Sequence, residues 1–241
     1  MTPEEAAAAS ADAIVGLPAL FMLDGATFER GGQVGFEGID FYAAGRGGAL
    51  GDVHAAVVAA AFVVFNPELV AEAWNRGRKV AEPLESAALF AGCLRSWALG
   101  HLGPGVDYER LADLAGRVVA AAPIAGVPLF AAWSVLPEPE EPSALALYRL
   151  NLLRELRGGL HGAAVIAGGL TPLEAVMVKT PYFASLYGWP EPWPDPEQHR
   201  AAWERAEAAT NAAAARAFTG LESGERQEFV ELAGAAQAGA T

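Results

Sequence analysis

The strongest constraint on what this chain can fold into is its punctuation. Alanine- and leucine-rich stretches of helix length are cut apart by glycine and proline, and nowhere do apolar and polar residues alternate for long. A half-buried strand needs that period-2 alternation, so its absence points to an all-α, multi-helix bundle. The stretches also carry helix-start signals. "NPELV" and "TPLEAV" each place an N-capping side chain before a proline at the first helical position, with an acid close behind. In "DYERLADLAGRVV", Leu111, Leu114 and Val118 share one helical face. Helices are expected at Glu4–Ile14, His54–Val64, Pro67–Lys79, Pro83–Leu99, Tyr108–Ala122, Ser143–Leu156, His161–Ala167, Pro172–Val178, Gln198–Ala217 and Ser223–Ala236. The glycine-rich, aperiodic run from Asp24 to Tyr42 reads as a long loop over the bundle.

Two proline-rich stretches set the organisation. "LPEPEEPS" (Leu136–Ser143) divides the chain into an N-terminal helical half, 1–136, and a C-terminal half, 137–241, expected to pack as one unit. "WPEPWPDPEQ" (Trp189–Gln198) cannot be helix interior. The halves share a pattern: "RGGALGDVHAAVVAAAFVVFNPELV" from Arg46 and "RGGLHGAAVIAGGLTPLEAV" from Arg157 both run from RGG through a histidine to a proline-started helix. The histidine follows its arginine by eight residues in the first and four in the second, a difference of about one helical turn. Internal duplication is one reading; chance alignment of Ala/Gly-rich helices is the other. Duplication would place His54 near His161 across a pseudo-twofold axis, with a pocket where the halves meet.

Composition narrows the function classes. With 241 residues, 53% apolar and 19% charged, the chain can bury a substantial core. Sixteen basic against 29 acidic residues give a net charge of -13, which repels phosphate backbones and anionic lipid, so neither nucleic acid nor membrane is a favoured partner. The lone Cys93 in "LFAGCLRSW" reads as a buried structural thiol. The N-terminus opens with acids rather than a basic segment, and the apolar run from His54 is interrupted by Asn66 and Pro67; a cytoplasmic location is expected. The histidines at 54, 101, 161 and 199 show no close pairing, so no metal and no cofactor is expected. His101 reads as a helix-end residue and His199 as solvated.

The stretch "LRELRGGLHGAAVIAGGL", Leu153–Leu170, concentrates the chemistry. Arg154, Arg157 and His161 share one face if a helix runs through them. Two guanidiniums suit a carboxylate or phosphate ester, His161 suits acid/base work near neutral pH, and Gly158 allows a ligand close approach. Glu155 would pair with an arginine or orient the imidazole. The alternative is a structural ion-pair cluster with glycines that serve only tight packing. "AGRGGALGDVH" adds a weaker anion-binding candidate through Arg46 and its glycines, with Asp52 capping the helix that contains His54.

The run "AAPIAGVPLFAAWSVLPEPEEPSALALYRLNLLRELRGGLHGAAVIAGGLTPLEAVMV", with the earlier "AGRGGALGDVHAAVVAAAFVVFNPELV", resembles an actinobacterial family of helical proteins that carries a helix-turn-helix (winged-helix-like) label. The resemblance extends from about Phe41 to the end. Arg154, Glu155, Arg157, Gly158 and His161 match its pattern, whereas Leu156, Gly159 and Leu160 stand where it tends to have His, Asp and Gly. "WPEPWPDPEQHRAAWERAEAATN" replaces the segment that would form a wing, and the following helix bears at least as many acids as bases.

The expected function is binding of a small, anionic, partly apolar molecule in an interhelical pocket, with acid/base chemistry in specialised metabolism. His161, His54 and Glu155 would be catalytic; Arg154, Arg157, Arg46 and Gly158 would bind the ligand. The alternatives are a ligand-responsive transcriptional regulator and a non-catalytic subunit that stabilises an enzyme partner. A homodimer or a protein partner is compatible with either.

Overall fold

In the computed structural model, which describes residues 1–240, thirteen α-helices and four short 3-10 turns form the architecture, and no strand occurs among the described residues. The axis of the molecule is α10, Pro142–Ala167, whose 26 residues run about 39 Å at 1.5 Å each. Around it pack α2 (Ala11–Leu23), α7 (Pro83–His101), α8 (Tyr108–Ala121), α9 (Pro128–Trp133) and α12 (Arg200–Ala214). One apolar core runs from Ala6 to Ala236, so the segments 1–136 and 137–241 share it. Two smaller clusters lie around α11, Pro172–Lys179.

The cap signals place helix starts where expected. Asn66 accepts from the Glu68 N–H to start α6 (Pro67–Gly77), and Thr171 with Glu174 forms a capping box on α11. Several expectations require correction, three of them about helix boundaries. First, Asp24–Tyr42 is mostly helical: α3 spans Gly25–Val34, capped by Asp24 and closed by Gly35 at φ 111°, and α4 (Ile39–Gly47) begins within the same run. Glycine there serves close approach, since a Cβ on Gly31 would lie 2.5 Å from the Phe41 ring. Second, Ser143–Leu156 and His161–Ala167 are one continuous helix, α10. Gly159 and Gly162 stand where Val127 and Val63 press on the backbone, at 2.8 and 2.7 Å from a notional Cβ. Packing overrides the low helix propensity of glycine at both points. Third, Asp52 does not cap the helix after it: it pairs with Arg78, and His54 is the N-cap of α5 (Ala55–Phe62), its Nδ1 accepting from the Ala56 N–H at 3.1 Å.

One helical stretch, Pro3–Leu23, is long and apolar enough by composition to cross a membrane, with mean hydropathy 1.7. It comprises α1 (Pro3–Ala9) and α2, broken at Ser10, and half of it is buried inside the protein. Cys93 is buried as expected, and burial pushes its thiol up to about 11. His101 ends α7, stacked at 4.7 Å on Trp97. His199 is half-buried beside Glu174, 3.7 Å away, rather than solvated.

Candidate ligand cavity

Helix α10 presents Arg154, Arg157, Gly158 and His161 along one side, at the i, i+3, i+4, i+7 spacing of a helical face. They line a cavity of about 370 Å³. Its other walls come from α2 (Val15, Ala19, Met22), α4 (Tyr42, Arg46), the end of α5 with the residues after it (Phe62 to Phe65), α12 (Trp203, Glu207) and the segment after α11 (Phe183, Leu186, Tyr187). Size and mostly apolar walls are those of a small-molecule site.

At one end lies a buried charge cluster. Arg46 makes a bidentate pair with Glu155, Nε to Oε1 at 2.8 Å and Nη2 to Oε2 at 2.7 Å, and stands 4.5 Å over the Phe62 ring. Its Nη1 donates to the Tyr42 hydroxyl at 3.3 Å, and the Trp133 indole N–H donates to the Arg46 carbonyl at 3.0 Å. Arg154 reaches the same carboxylate, Nη1 to Oε1 at 3.0 Å, while its Nε is buried without a partner among the described residues. Burial pushes the Glu155 carboxyl upward, but Arg46 and Arg154 outweigh it and hold it below the usual carboxylate range.

At the other end is His161. Its Nδ1 lies 3.1 Å from Thr210 Oγ1, and that hydroxyl donates to the Ala206 carbonyl at 2.7 Å. With the threonine proton so used, Nδ1 must be the donor, and Nε2 carries the lone pair. Glu207 Oε2 lies 3.5 Å from the same Nδ1, and its other oxygen accepts from Arg157, which also donates to Asn211 at 2.8 Å. Burial lowers the His161 pKa; Glu207 opposes the shift, and Arg157 and Lys179 add to it. Lys179, exposed at the rim, stands 5.6 Å from the Trp203 ring and makes no ion pair among the described residues.

The structure therefore brings Arg46, Glu155, Arg154, Arg157, Gly158 and His161 together, and leaves His54 out. His54 is spent on capping α5, and its Nδ1 accepts rather than donates. Glu155 pairs with arginines and does not orient the imidazole; Thr210 and Glu207 do that. The glycines after Arg46 hold no anion nest: Gly48 lies against the Pro83 carbonyl, 2.1 Å from a notional Cβ. Trp203, Glu207, Thr210 and Asn211 carry no motif in the sequence, although their spacing along α12 marks one face.

One comparison decides the family. A model described as a helix-turn-helix family matches residues 7–240. The chain belongs to that helix-turn-helix family. No curated protein and no solved structure matches it. This family member has no strand among its described residues, and hence no wing there. Its last two helices carry acids at least as often as bases: Arg200, Arg205, Glu204 and Glu207 on α12, and Glu225, Glu228, Glu231 and Arg226 on α13 (Ser223–Ala238).

Proposed function

We propose that the cavity binds a small, partly apolar, anionic molecule and that His161 acts on it as general base. One observation carries this reading: an apolar cavity holds both an imidazole whose Nε2 lone pair has no partner among the described residues and two arginines that share one carboxylate. A neutral imidazole with a fixed tautomer is ready to take a proton, and a pKa held below the ordinary value keeps it in that form at neutral pH. Arg154 holds the anion. Arg46 and Glu155 form the platform that orients it, and Arg157 fixes Glu207 behind the imidazole. Gly158 leaves open space for the ligand, since nothing lies within 4 Å of its notional Cβ. His54 has no part in this chemistry.

The test is a thermal-shift screen of small carboxylates and phosphate esters against wild type, Arg154→Met and His161→Gln. A ligand at about 100 times its Kd stabilises by about 2.7 kcal/mol, which is several degrees. The reading predicts a shift in wild type that Arg154→Met abolishes. His161→Gln should keep binding and lose turnover. A ligand that shifts all three proteins equally would remove the site from this cavity.

The family match supports a second reading, a regulator whose effector occupies the cavity and whose helices meet DNA. It predicts DNA binding that weakens steeply with salt. A net charge of -13 and the mixed charge of α12 and α13 weigh against it.

A further inference from the structure

The inner end of the cavity gathers hydrogen-bond donors with too few acceptors. Among the described residues Arg154 donates through Nη1 alone, to Glu155. The Tyr42 hydroxyl accepts from Arg46 Nη1 at 3.3 Å, which leaves its own proton free, and no acceptor takes that proton among the described residues. The Tyr187 hydroxyl, on the same wall, has no hydrogen bond there either. The two tyrosines flank Phe65, ring to ring at 5.5 Å for Tyr42 and 4.4 Å for Tyr187. Tyr187 is near enough to Arg154 and Arg46 for both charges to act on its hydroxyl. Burial outweighs them and pushes the hydroxyl up to about 12, so at neutral pH it keeps a proton to donate.

The charges call for one anion and no more. Arg46, Arg154, Arg157 and Lys179 stand against Asp12, Glu155 and Glu207, while burial favours the neutral form of His161. Lys179 and Asp12 are both exposed at the rim and offset each other, and Arg157 is paired with Glu207. The excess therefore lies at the inner end, where Arg46 and Arg154 share Glu155. An unbalanced charge in an apolar site is costly, and a bound counter-charge removes the cost. Resting on the anion site proposed for Arg154, we infer that Tyr42 and Tyr187 complete a carboxylate clamp with it, and that the ligand is an aromatic monocarboxylate bound acid-end inward. A carboxylate brings one charge and two oxygens that accept several donors, matching one excess cation and two phenolic hydroxyls. A phosphate monoester brings a charge of about -1.5 to -2 at pH 7, and part of it would stay unbalanced. The body lies among Phe62, Phe65, Phe183 and Trp203, walls that suit a flat ring.

Calorimetry with 2-naphthoate, 2-naphthamide and 2-naphthyl phosphate tests this. Wild type should bind the acid about tenfold more tightly than the amide, and more tightly than the phosphate. Tyr187→Phe is the decisive variant, because its hydroxyl has no other hydrogen bond to lose among the described residues. It should weaken the acid by about tenfold and the amide by less, so the acid-to-amide preference falls; a merely structural defect would weaken both alike. Tyr42→Phe should lower the preference as well, with some loss of stability because Arg46 loses an acceptor. Tyr182→Phe, at an exposed ring outside the cavity wall, should change neither. If Tyr187→Phe leaves the preference intact while Arg154→Met lowers it, or if the phosphate binds best, the carboxylate clamp is lost and the anion site at Arg154 stands. If the amide matches the acid in wild type, or none of the three binds, the anionic-ligand reading falls and the clamp with it.

Discussion

The two RGG…His segments use the same residues for opposite ends. In the first, Arg46 closes α4, Gly48 turns the chain against the Pro83 carbonyl, and His54 starts the next helix with Nδ1 as acceptor. In the second, Arg157 and His161 lie within one unbroken helix, and His161 uses Nδ1 as donor to Thr210. Opposite roles for Nδ1 leave opposite groups at Nε2: a proton on neutral His54, a lone pair on His161. The single step of four residues against eight thus separates a helix cap from a base in a cavity. Similar letters do not carry similar chemistry when the helix boundary falls differently.

Substitutions can break that contrast, beginning with the charge that links both segments. Glu155→Gln should be the most damaging, because Arg46 and Arg154 would both lose their buried carboxylate. A loss of about 3–5 kcal/mol in denaturant unfolding is expected. Next come the glycines. Gly48→Ala and Gly162→Ala should each cost about 1–3 kcal/mol, the first against a backbone carbonyl and the second against the Val63 methyls. Gly158→Ala, in open space, should be neutral or stabilise by up to about 1 kcal/mol while weakening ligand binding. His54→Ala should remove one helix cap, about 1 kcal/mol, with no effect on ligand affinity. The smallest effect is in pH. The native His161 pKa lies below the unfolded value of about 6.5, so this histidine's contribution to stability is present above that value and lost as pH falls through the native one. His161→Asn should flatten that part of the stability profile.

The all-α fold, most helix starts and the α10 face are legible in the sequence, because caps and periodicity are local. What depends on distant partners is not. The Arg46–Glu155 pair spans 109 residues, and only packing of α4 on α10 creates it. The break expected at Gly158 and Gly159 follows propensity, yet close contacts from Val127 and Val63 explain why small residues are needed nearby and why the helix continues. In Asp24–Tyr42, where a loop is expected, Gly31 is small because the Phe41 ring lies against it and Gly35 takes the left-handed conformation that closes α3. His161 was visible, but Thr210 and Glu207, which set its tautomer and charge, lie on α12 some fifty residues away.

Val63 sits on the cavity wall with φ 47° and ψ -68°, in a tight turn where the Val64 N–H donates to the Phe62 carbonyl at 2.6 Å. A branched residue rarely adopts that conformation, which glycine enters freely, and Val63 also fills the space left by Gly162. Laboratory evolution for heat resistance alone would therefore favour glycine at 63, exchanging a shaped wall for a relaxed backbone. Keeping valine there would require selection on what the cavity holds.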